Sequence, residues 1–126
     1  MHLMLDKLGT EGELVIDPND RSLWLMHQSQ WWCITGLSVL SWPQGHGCLD
    51  GPNTLRIVSG LWDVVTVRIS EVLMADRWPT FVLGPPKQNL GVSMPLTVNA
   101  PDGVRVRVYW KLLDKEDAER RFSLAL

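Results

Sequence analysis

The sequence offers few of the residues that chemistry needs, and each shortage excludes something. It holds only two cysteines, Cys33 and Cys48, and three histidines, with no CxxC or HxxxH pair among them. Structural zinc sites show such spacing. His27, Cys33, His46 and Cys48 are the one soft-ligand set, and they read as a loop histidine and buried thiols. No metal and no cofactor is expected. Cys33 and Cys48 could close one disulfide; two reduced thiols are the preferred reading. There is no G-x-S-x-G elbow, no GxxxxGK and no GxGxxG, so nucleophile-elbow hydrolysis and phosphate-loop chemistry lack their usual signatures.

Basic charge is also scarce. Twelve Lys and Arg stand against fourteen Asp and Glu, for a net charge of -2. Nothing here drives non-specific attraction to nucleic acid or membrane. No apolar run approaches the roughly 20 residues of a membrane helix. Longer stretches such as "LWDVVTVRISEVLM" are broken by Asp63, Arg68, Ser70 and Glu71. The opening "MHLMLDKLGTEGELVID" lacks a basic segment leading into an apolar one, so no signal peptide is read. The expected setting is a virion or the host cytoplasm.

Long amphipathic helices are missing as well. Ser70 to Arg77 is the best candidate and is too short to stand alone. What remains is a series of short apolar segments, rich in Val, Ile and Thr, divided by Pro and Gly. With 126 residues, the chain reads as one domain over residues 1–126. The expected fold is all-β: an antiparallel β-sandwich, possibly jelly-roll-like. It should hold seven to eight short strands and at most one short helix near the C-terminus. One helical turn is expected at Lys115 to Arg120, followed by an extended "FSLAL".

The clearest unit is "VSMPLTVNAPDGVRVRVYWKLL", which reads as a hairpin about "APDG". Pro101 presets φ and Gly103 can supply a positive φ. Val104, Val106, Val108 and Trp110 alternate with Arg105, Arg107, Tyr109 and Lys111, the period of a half-buried strand. Pro95 removes a ladder donor, so its arm is an edge strand or begins just after it.

Against these shortages stands a surplus. Seven tryptophans accompany two Phe and one Tyr. "QSQWWCITGLSVLSWPQGHGC" alone contains Trp31, Trp32 and Trp42. Adjacent residues on a strand point to opposite faces. One of Trp31 and Trp32 should therefore enter the core and the other should lie on an outer face, available to another chain. Trp is enriched among interface hot spots. Arg105, Arg107 and Lys111, with Tyr109 between them, form a positive row that would set register against an acidic partner.

The function expected from these residues is non-catalytic and structural. The chain would be a small virion component, such as a phage capsid cement or decoration protein. It would bind a shell protein, its own copies or both through Trp31, Trp32, Trp42, Arg105, Arg107, Tyr109 and Lys111. Nucleic acid, membrane and small-molecule substrates are not expected partners. Two alternatives are a carbohydrate-binding sandwich with a platform of two exposed Trp, and a small enzyme using Cys33 or Cys48 with His46.

Overall fold

A computed structural model describes residues 2–41, 54–59, 62–86 and 95–125, with side chains through residue 121. Nine strands are found among the described residues: β1 (His2–Met4), β2 (Glu11–Ile16), β3 (Ser22–Met26), β4 (Trp32–Ser41), β5 (Thr54–Ser59), β6 (Trp62–Arg68), β7 (Trp78–Gly84), β8 (Leu96–Asn99) and β9 (Arg105–Leu112). Two α-helices, α1 (Ile69–Leu73) and α2 (Lys115–Ala125), and a single 3-10 turn at Leu5–Lys7 accompany them. The strands form a five-stranded sheet, β1-β3-β8-β5-β6, and a four-stranded sheet, β2-β9-β4-β7. All pairings are antiparallel except β1 with β3. This is the expected all-β, sandwich-like fold, with one strand more than foreseen.

The core lies between the sheets. The five-stranded sheet gives it Leu23, Leu25, Leu55, Ile57, Val67, Leu96 and Val98, and the four-stranded sheet gives Ile16, Trp32, Ile34, Leu37, Val82, Val106, Val108 and Trp110. The alternation read along β9 holds. Val104, Val106, Val108 and Trp110 are buried, and the intervening Arg105, Arg107, Tyr109 and Lys111 are not. Trp32 is the largest fully buried side chain. It lies directly on Gly84 of the neighbouring strand, where an added Cβ would overlap its ring. Gly84 is what lets an indole that large lie flat between strands.

The hairpin expectation is corrected. β8 pairs with β3 and β5, while β9 pairs with β2 and β4 in the other sheet. Pro101 to Val104 is an arch between layers. Its turn chemistry is as read: Val104 N donates to Pro101 O at 3.2 Å, and Gly103 takes φ of +77°. A tight turn between two alternating segments has the same sequence signal whether the strands pair or face one another across a core. Pro95 falls just before β8, which is an interior strand, so the second of the two options for Pro95 is the one realised.

The C-terminal expectation is also corrected. Lys115–Ala125 is one continuous helix, so the segment read as extended "FSLAL" is helical through Ala125. Ala118 N donates to Asp114 O at 2.8 Å at its start. Asp117 then bonds Arg120 at 2.9 Å and Arg121 at 3.1 Å, three and four residues on. Pairs at these spacings lie on one helix face and give the helix weak, solvent-screened support. The one-turn helix α1 has no side-chain cap, and Ile69 and Val72 anchor it in the core.

Candidate functional site

Trp31 immediately precedes β4 and Trp32 opens it. The two rings do go opposite ways. Trp32, 1% exposed, enters the main core, and Trp31, 8% exposed, joins a second cluster with Cys33, Leu113 and Ala118. The outer-face indole is nevertheless covered by its own chain, which corrects the expectation that one ring of the doublet is left for a partner. α2 folds back over this side of the four-stranded sheet. Leu113 N donates to Trp31 O at 3.0 Å, Gln30 Nε2 donates to Leu113 O at 3.1 Å, and Arg121 lies 4.4 Å from the centre of the Phe81 ring on β7. A helix read as extended chain left this face looking bare.

Cys33 sits under the same cover. Burial pushes its thiol up to about 11, against the opposing pull of Lys111 and Arg121. A thiol held protonated in apolar surroundings is a poor nucleophile. Cys33 is a free cysteine. His27 is buried, and its Nδ1 accepts from Ser29 N at 3.1 Å and Gln30 N at 2.9 Å. It holds together the loop that carries the chain from β3 to β4. Among the described residues no group of three or more His, Cys, Asp or Glu could hold a metal. His46, Cys48 and Trp42 lie outside the described residues, as does the pairing of Cys33 with His46.

The cationic row of β9 stands on the open part of the same face, and β2 answers its charge. Arg107 meets Glu13 at 3.4 Å, and Lys111 stands opposite Glu11 in register. Tyr109 is hydrogen-bonded to Ser38 at 3.2 Å, and Ser38 donates to Asp76 O at 2.8 Å. Arg77 lies over the Tyr109 ring at 4.1 Å and donates to Thr35. It crosses Gly36, where any side chain would collide with it. The register of β4 shifts between Ile34 and Gly36, a β-bulge at Thr35 beside this contact. Arg105 stands opposite Ser41 and is exposed. Glu11 and Glu13 thus offset part of the strip's positive charge, and Arg77, Tyr109 and Ser38 are bonded within it, while Arg105 faces Ser41.

The outward side of the five-stranded sheet is different. Across it run two neighbouring rows in register. One holds Trp24, Thr97, Val58 and Asp63; the other holds Ser22, Asn99, Arg56 and Thr66. Trp24 is 38% exposed. Its Nε1 donates to Ser22 Oγ at 3.3 Å, and His2 stacks beside it at 4.8 Å with the rings tilted by 35°. Trp62, 76% exposed, opens edge strand β6. It shares a row with Ser59 and Leu96 rather than with Trp24. Among the described residues the exposed indoles are thus Trp24 and Trp62. Isolated Trp in alternating strands gives no sign of which sheet side is covered, so the pattern alone marks neither indole as exposed. No helix among the described residues is long and apolar enough to cross a membrane.

Comparison with known proteins gives no match: no protein-family model, no curated protein and no solved structure matches this chain.

Proposed function

We propose that this protein is a non-catalytic assembly protein, a small virion component that cements or decorates a capsid shell, and that it makes contact through its five-stranded sheet. One observation carries the reading. Trp24 is exposed on the outward side of that sheet and Trp62 at its β6 edge, while Trp31, Trp32 and Trp110 are buried. An exposed indole is costly surface to keep and is the side chain most enriched at the energetic centres of protein interfaces. The buried, protonated Cys33 and the structural role of His27 add support, since they leave the described soft side chains without a catalytic arrangement.

The test uses the whole chain. Light scattering after size exclusion, and binding to purified shells, are measured for the natural protein and for Trp24→Ala and Trp62→Ala. Self-association or stoichiometric retention on shells, lost in the variants at unchanged stability, is the expected result. A monodisperse monomer that no shell retains would refute the reading. A glycan-binding role is the second reading, favoured by Trp24 on an open sheet face flanked by Ser22, Thr97 and Asn99. The platform of two coplanar Trp expected for that role is absent among the described residues. Trp24 would have to serve alone.

A further inference from the structure

Beside Trp24 the five-stranded sheet carries a depression of about 610 Å³, lined by Arg21, Ser22, Thr54, Arg56, Asn99 and the turn that follows. Its chemistry is one-sided. Two guanidiniums, two hydroxyls and a carboxamide converge, and none of these lining residues is acidic. Register sets the placement. Ser22, Asn99 and Arg56 are direct cross-strand neighbours, and Thr54 lies two residues from Arg56 on the same side of β5. Two acids reach in from outside the lining: Asp102 pairs with Arg21 at 2.9 Å, and Asp63 approaches Arg56 at 3.9 Å. All four side chains are roughly half exposed or more. Exposed pairs of this kind are weak, so an incoming anion competes with them readily. A guanidinium also has five donors, more than one carboxylate occupies.

The depression adjoins a ring platform. Trp24 is the diagonal neighbour of Asn99 across the β3–β8 pair. Such neighbours lie about 7–8 Å apart, the span of a pyranose with a charged substituent. The Ser22 hydrogen bond and the His2 contact hold the indole in place beside the pocket.

We propose that this pocket binds the oxyanion of an acidic sugar, carboxylate or phosphate, with the sugar ring lying against Trp24. Arg56 and Arg21 neutralise the anion, while Asn99, Ser22 and Thr54 supply the directional bonds. The ring contact rests on the glycan reading above. The charge recognition goes beyond it, and neither needs the assembly reading.

The full chain is titrated with glucuronate, glucose 1-phosphate, inorganic phosphate and glucose, following tryptophan fluorescence and the backbone amide signals of Arg56 and Asn99. Saturable binding of an acidic sugar, about tenfold or more tighter than glucose, is expected. Arg56→Gln should weaken it about tenfold, and Trp24→Ala should remove the fluorescence response. Arg21→Gln provides a second variant should the first fold poorly. Preference for one acidic sugar supports the pocket and identifies the oxyanion as carboxylate or phosphate. Glucose binding as tightly overturns the charged pocket and leaves the glycan reading standing. Inorganic phosphate binding as tightly as the sugar phosphate overturns the role of Trp24. No saturable binding of either acidic sugar at millimolar concentration overturns the proposal.

Discussion

Cys33 and Trp24 both stand on the outward side of a strand, one on each sheet, and their surroundings differ completely. Over Cys33 the chain lays α2, and Trp31, Leu113 and Ala118 close a small second core. Next to that cover, Arg77, Glu11 and Glu13 match or screen what β9 presents. Over Trp24 nothing comparable is placed among the described residues; Ser22 and His2 stand beside it. The contrast teaches that the outward side of a strand is not a surface until the rest of the chain has been placed. A residue pattern gives the side; topology decides whether that side is wet.

The sharpest way to break the contrast is at the tryptophan doublet. Trp32→Ala should cost about 3–5 kcal/mol in urea denaturation, the range for emptying a large core site. Trp31→Ala should also destabilise, but less, because its cluster is small, and it should lower the helical circular dichroism as α2 loosens. A neutral Trp31→Ala would mean that α2 does not cover this face. Gly84→Ala comes next. A methyl placed against the Trp32 indole forces it off its rotamer, and overpacking of this kind costs about 1–3 kcal/mol. His27→Ala strips two backbone donors of their acceptor, at about 1–3 kcal/mol in the same measurement. Trp24→Ala, on the bare sheet, should stay within about 0.5 kcal/mol of the natural protein. A large loss there would make Trp24 a packing residue and erase the contrast.

Two chemical probes refine the covered side. Cys33, with its thiol near 11, should resist iodoacetamide at neutral pH in the folded protein and react once urea unfolds it. Fast labelling of the native chain would contradict the cover. The smallest effect concerns Asp117. Hydrogen bonds from Arg121, then Arg120, hold its carboxyl below the usual carboxylate range. A lowered folded pKa means that its stabilising effect is present above the unfolded pKa and fades as pH falls through the folded one. Helical signal should therefore decline slightly at acid pH below the ordinary carboxylate range, and Asp117→Asn should flatten that decline.

The sequence pattern was most informative where a single strand carries its own period. The valines of β9 and the positive φ at Gly103 were legible, since each follows from local sterics, and Pro95 narrowed its strand to two options of which one is realised. What was not legible depended on partners far along the chain. "APDG" marks a turn but says nothing of which sheet each arm joins. Trp31 and Trp32 were correctly sent to opposite sides, and the error lay in assuming that one side was open. Only a helical reading of Lys115 to Ala125 would have corrected it, and the Asp117, Arg120 and Arg121 spacing was the available signal. Trp24 was ambiguous because its strand alternates cleanly whichever face is buried.

The arch at Pro101 to Val104 is one case of a wider pattern: every strand-to-strand connection except β5 to β6 carries the chain from one sheet to the other. Apart from β5 and β6, the strands gain their lateral neighbours from non-consecutive parts of the polypeptide, so the two layers depend on each other to assemble. Refolding should be slow, in the millisecond-to-second range of proteins dominated by non-local pairing. A cut in almost any of these crossings would unravel both layers together.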